Sequence, residues 1–129
     1  LTDAEMQAVA FEMNFSESTF ILPPTDPACA MRVRIMTPQR ELPMAGHPTI
    51  GTAFALARAG VLSPSDARVV FELGVGPTPV DLTWEQGALR FARMSQLRPI
   101  FEEPALDREA LARALRVPTG ALHPALPVQ

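Results

Sequence analysis

Gly46 and His47 stand just ahead of Pro48 and an uncharged run, residues 49–57. Proline is favoured at the first position of a helix, because the N–H it lacks would have no partner there. The run therefore reads as a helix opening at Pro48. Helix starts present unpaired backbone N–H groups and a partial positive charge, which together hold a carboxylate or phosphate without a cationic side chain. Glycine at such a place lets a ligand come close to the backbone, and histidine can donate or accept a proton. Glu17 is the second candidate, in a short polar link before the apolar run 19–22. A carboxylate partly withdrawn from water serves as a general acid or base. Plainer readings compete: Gly46 as a turn, His47 as a helix cap, and Glu17 as an exposed loop carboxylate.

The remaining reactive types offer less. His47 and His123 are the only histidines, and neither has a partner at metal-ligand spacing. Cys29 lies in a proline-bounded turn with no adjacent histidine, which argues against a nucleophile. Gly74 and Gly76 lack the third glycine and the following helix of a dinucleotide loop. Trp84 reads as core or hairpin packing.

Local signals define the elements that would carry these residues. Thr2 and Glu5 form a capping box, followed by Met6, Val9, Ala10 and Met13 at helical spacing, with a stop near Asn14. Residues 19–22 read as a strand. Prolines 23, 24 and 27 make a turn. Residues 30–37 alternate, with Met31, Val33 and Ile35 on one face and Arg32 and Arg34 on a solvated one. Residues 38–48 read as a loop. The run 49–57 has no polar stripe, so that helix is expected to be buried all round, with Gly60 at its C′ position. Strands are expected at 68–73, 78–84 and 88–94, the last two joined by a hairpin at Glu85-Gln86-Gly87. Asp107 would cap a helix over 108–116 with Leu111 and Leu115 inward. Strands wrapped round one apolar helix make an α+β fold.

Composition narrows the classes further. The chain has 129 residues, 47% apolar and 19% charged, with a net charge of −3 and no lysine. That suits one packed domain or lobe and argues against nucleic acid, whose binders are basic. No run approaches the ~18 apolar residues of a membrane span. The acidic, polar start lacks the features of a signal peptide. A single cysteine cannot form an internal disulfide, which fits a reducing cytoplasm.

Residues 13–20, Met-Asn-Phe-Ser-Glu-Ser-Thr-Phe, resemble a segment of the phenazine-biosynthesis PhzF family. Residues 34–38 together with 41–53, Glu-Leu-Pro-Met-Ala-Gly-His-Pro-Thr-Ile-Gly-Thr-Ala, resemble that family's longer signature, with Met36 and Met44 where phenylalanine is common. The resemblance covers almost the whole chain. It implies a fold similar to diaminopimelate epimerase, in which two lobes face each other across a cleft. Each lobe is an antiparallel, barrel-like sheet around a central helix. It further implies an isomerase or epimerase that moves a proton on a small carboxylate-bearing metabolite, with no metal or organic cofactor.

On that likeness Glu17 and His47 are catalytic. Ser16, Gly46, Pro48 and Thr49 contact substrate, and the N–H groups near Gly46 orient and polarise it. Residues 1–116 correspond to the N-terminal lobe, without the family's opening strand, and residues 117–129 to the crossover into a second lobe that lies outside this sequence. A homodimer is common in such proteins. The alternative is a non-catalytic protein that keeps the fold and binds small carboxylates.

Overall fold

The computed structural model describes residues 1–100 and 107–123. The chain divides into two compact units, residues 1–96 and 97–129.

The first unit opens with helix α1 (Asp3–Met13). Its capping box forms as expected: Glu5 N–H donates to Thr2 Oγ1 at 3.3 Å, and Thr2 N–H donates to Glu5 Oε2 at 2.7 Å. Asn14 ends the helix in the left-handed region, at φ 51°, a conformation asparagine tolerates better than most residues. The helix is apolar on most sides, yet only Met6 and Ala10 are buried, against Met36 with Phe20 and Leu22 alongside. Val9 and Met13, grouped with them by spacing, are exposed. The reason is geometric: among the described residues α1 packs chiefly on two strands, which cover a narrow stripe of it.

Those strands are β1 (Ser18–Leu22) and β2 (Met31–Met36); then follow β3 (Glu41–Leu42), β4 (Arg68–Leu73), β5 (Gly76–Glu85) and β6 (Ala88–Met94). The sheet order is β1-β2-β4-β5-β6, with β3 paired to β2. Residues 38–48 were expected to be loop throughout, so β3 is a correction. It is a pair of residues set by long-range pairing, Ile35 with Leu42 and Met36 with Glu41. Pairing is antiparallel except between β2 and β4, which run parallel through Met31 with Phe71 and Arg32 with Glu72. Parallel neighbours need a long crossover, and the crossover here contains helix α2 (Gly46–Arg58).

Alternate residues of the strands face α2. Val33, Ile35, Val69, Phe71, Leu73, Val80 and Leu82 form the core with Ala53 and Leu56 of the helix. The β5–β6 hairpin turns through Gln86 and Gly87, both at positive φ, as a two-residue type I′ turn requires. Trp84 packs at this hairpin, with Nε1 donating to the Asp66 carbonyl at 2.8 Å.

Helix α2 departs from expectation in two ways. It begins at Gly46, not Pro48. Proline is also tolerated two residues later, because the whole first turn lacks intrahelical N–H partners. It is also not buried all round. Pro48, Thr49, Thr52, Ala53 and Leu56 face the sheet, while Gly51, Phe54, Ala55 and Arg58 are exposed. The curled sheet reaches the helix from one side only, with contacts from β6 and β1. The helix closes on a Schellman motif: Val61 N–H donates to Leu56 O at 2.9 Å, and Gly60 N–H to Ala57 O at 3.1 Å.

In the second unit, Asp107 caps helix α3 (Arg108–Leu115) by accepting from Ala110 N–H at 2.6 Å. Ala112 is its buried residue, and Leu115, expected inward, is 57% exposed. The segment 119–123 folds over the Arg108 side of the helix, where the guanidinium donates to the carbonyls of Leu122 and His123. Leu115 lies nearly two turns further on, past that cover.

Candidate active site

The first turn of α2 carries the positional features of an anion site. Ala45 is its N-cap in extended conformation and makes no side-chain capping bond. Gly46, His47 and Pro48 are therefore the first three helical residues, so His47 is not the cap. Pro48 has no N–H, which leaves those of Gly46 and His47 at the positive end of the helix. Neither backbone nor packing demands the glycine. Gly46 is not among the positive-φ residues, and an added Cβ would meet nothing closer than Gln96 Nε2 at 4.0 Å. The loop entering the helix is held from behind. A Cβ on Gly74 would lie 2.7 Å from Pro43 Cα, and Val75 N–H donates to Pro43 O at 3.2 Å.

Glu17 arrives from the other side. The left-handed cap at Asn14 redirects the chain into Phe15 and Ser16, and β1 begins at Ser18. Thr19 pairs with Ile35, a core residue, so Thr19 faces α2. Two residues earlier, Glu17 keeps the same phase. Its side chain is 16% exposed and its Oε2 lies 3.1 Å from His47 Nε2. The contact is an ion-pair contact, and Oε2 is fully buried with no hydrogen bond among the described residues. A carboxylate oxygen has room to accept from a ligand's donor group as well. The His47 side chain is 74% exposed, so it can meet a solute.

The other expected contacts divide. Ser16 is exposed beside Glu17. Pro48 is buried, and Thr49 is fully buried with its hydroxyl donating to Ala45 O at 2.7 Å. Neither side chain reaches the surface where Glu17 meets His47. The Arg34 face is also corrected. Its side chain is 11% exposed, not solvated, because it donates to Glu41 at 2.8 and 2.6 Å and to Asp3. Hydrogen bonds from Arg34 hold the Glu41 and Asp3 carboxyls below their ordinary range. This cluster joins α1, β2 and β3, and spacing alone could not have shown it.

Away from the pair, a groove of about 560 Å³ runs between the outer face of α2 and the β5–β6 hairpin, walled by Phe54, Ala55, Arg58, Trp84 and Leu89. It contains neither Glu17 nor His47, and its walls carry no acid or base except Arg58. Among the described residues no group of three or more His, Cys, Asp or Glu is arranged to hold a metal ion, and no helix is long and apolar enough to cross a membrane.

Comparison with known proteins gives this geometry a context. The chain is 42% identical over 118 residues to the trans-2,3-dihydro-3-hydroxyanthranilate isomerase of Pseudomonas fluorescens, which covers 91% of this chain and 40% of that relative. It superposes on a crystal structure of a PhzF-family phenazine biosynthesis protein from Bacillus anthracis with a TM-score of 0.74 and 32% identity, covering 98% of this chain and 42% of that one. A hydroxyproline epimerase from Agrobacterium vitis shares the fold, with a TM-score of 0.56 at 18% identity over 60% of this chain and 23% of that one. The chain thus spans about 40% of the length of the relatives it matches. Residues 1–129 match the phenazine biosynthesis-like (PhzC-PhzF) family from end to end, and the chain belongs to it.

Proposed function

We propose that this chain carries one half of the active site of a cofactor-independent isomerase, which moves a proton on a small carboxylate-bearing metabolite. The observation that carries the reading is Glu17 Oε2: buried, making no hydrogen bond among the described residues, and in ion-pair contact at 3.1 Å with His47 Nε2 at the start of α2. In this mechanism the substrate carboxylate binds the N–H groups of Gly46 and His47, where the helix end favours negative charge. Glu17 takes a proton from one carbon of the substrate and returns it at another. His47 orients the substrate and polarises the position that gains electron density. The N-terminal lobe would run through residue 116, and residues 117–129 would lead into a second lobe that forms the facing wall. The relatives' greater length supports that second lobe, and a homodimer is the expected assembly.

The test uses the complete protein in D2O with trans-2,3-dihydro-3-hydroxyanthranilate as the first probe, following solvent deuterium into the substrate by mass spectrometry. General acid–base catalysis contributes about 10²–10⁴-fold, so Glu17→Gln is expected to lose exchange by that order. Exchange at the wild-type rate in Glu17→Gln refutes the role of Glu17. Binding of the probe by the wild type without exchange or turnover would instead favour a non-catalytic carboxylate-binding protein.

A further inference from the structure

We propose that the hydroxyls of Thr19 and Thr52 are a positioning device that sets the approach of Glu17 to His47; the inference rests on the proton-transfer reading above. Thr52 Oγ1 lies 3.0 Å from Thr19 Oγ1 and 2.8 Å from Pro48 O. A hydroxyl has one proton and a carbonyl can only accept. The arrangement that satisfies both contacts has Thr19 donating to Thr52 and Thr52 donating to Pro48. The chain of donors thus runs from β1 into the first turn of α2. It starts two residues after Glu17 and ends on the residue that follows His47.

Elements that carry reacting groups must be held in register, and a misplacement of about 1 Å can cost a hundredfold in rate. Apolar contact between β1 and α2 sets their spacing only loosely, whereas a hydrogen bond fixes both distance and direction. The bond is also partly withdrawn from water. Thr52 is 3% exposed and faces the same apolar interior as Ala53 and Leu56. A hydroxyl in such an interior is tolerated where it is hydrogen-bonded. Among the described residues it is the side-chain hydrogen bond that joins β1, the strand that follows Glu17, to α2, the helix that bears His47.

The experiment compares Thr52→Val, Thr52→Ser and Thr19→Val in the complete protein with the same probe and exchange assay. Valine keeps the shape and removes the hydroxyl; serine keeps the hydroxyl. Thr52→Val is expected to lower kcat about tenfold to a hundredfold while KM changes little, because the carboxylate-binding N–H groups stay in place. Thr52→Ser is expected to restore most of kcat. The nuclear Overhauser contact between Glu17 Cγ–H and the His47 ring should weaken in Thr52→Val and return in Thr52→Ser. A wild-type kcat in Thr52→Val, or a Thr52→Ser variant as slow as Thr52→Val, overturns the proposal, since the methyl or nothing would then be what matters. If Thr52→Val does not fold, Thr19→Val carries the same test with the same expected loss. Loss of exchange in Glu17→Gln with full rate in the threonine variants sinks the positioning role alone; full exchange in Glu17→Gln sinks the function beneath it.

Discussion

Gly74→Ala is the substitution whose effect can be worked most directly from distances. Gly74 is not among the positive-φ residues, so its backbone accepts alanine and steric crowding acts alone. The new Cβ would stand 2.7 Å from Pro43 Cα, 3.0 Å from Pro43 O and 3.2 Å from Pro43 Cβ. Comfortable carbon–carbon contact lies at about 3.5–4.0 Å, so the two backbones must part by roughly 1 Å. Overpacking of this kind costs about 1–3 kcal/mol, which for a unit of this size lowers Tm by about 5–15 °C. The displaced residue leads through Met44 and Ala45 into Gly46 and His47. A shift of that order at a reacting group costs about a hundredfold in rate. The assay is thermal unfolding together with deuterium incorporation measured well below the variant's Tm. Amide exchange at Val75, whose N–H donates to Pro43 O, should also accelerate. An unchanged Tm with unchanged exchange would refute the argument that the β4–β5 turn seats the loop before α2.

Gly46→Ala should behave in the opposite manner. The protein leaves room for its Cβ, so stability is expected to hold or rise by up to about 1 kcal/mol. Binding of the carboxylate probe, measured by calorimetry, should weaken about tenfold, which corresponds to ~1.4 kcal/mol; unchanged affinity would remove Gly46 from the site. Glu41→Gln addresses pH. Arg34 holds the Glu41 carboxyl below its ordinary 4.5, so its ion pair stabilises the fold above that pH and is lost as pH falls through the lowered value. Urea midpoints of wild type and Glu41→Gln should therefore differ at pH 7, and the difference should narrow as pH falls below 4.5. A gap that does not narrow as pH falls below 4.5 would show that the charge is not what the glutamate contributes.

Elements with strong local signals were legible in the sequence. Thr2 and Glu5 mark the start of α1, and turn signals beside them bound the strands at residues 68–73 and 88–94, which form with those limits. Gln86-Gly87 supplies the positive φ of its turn. Where two local preferences compete, the reading slips: Pro48 favours the first helical position, yet Gly46 and His47 precede it within the helix. Features that depend on distant partners left no local trace. Residues 41 and 42 are a strand only because β2 lies beside them, and Arg34 is covered only because α1 and β3 bring Asp3 and Glu41 to it. The meeting of Glu17 with His47 spans 30 positions of sequence and shows no periodicity. Resemblance to a family paired them, and the structure supplied the reason, namely the phase of β1 against α2.

The parallel pairing of β2 with β4 has a consequence for how the molecule assembles. β4, β5 and β6 are neighbours in sequence joined by tight turns, so their pairing closes only short loops. β2 can meet β4 only after the chain from residue 37 to residue 67 has looped back, which costs more closure entropy and makes such contacts slow to form. Glu17 lies on one side of that long closure and His47 within it. A local opening that parts β2 from β4 can separate them while the β4–β6 meander stays intact. Loss of the Glu17–His47 contact would then precede loss of the fold on heating, and the proposed activity would fail at a lower temperature than secondary structure.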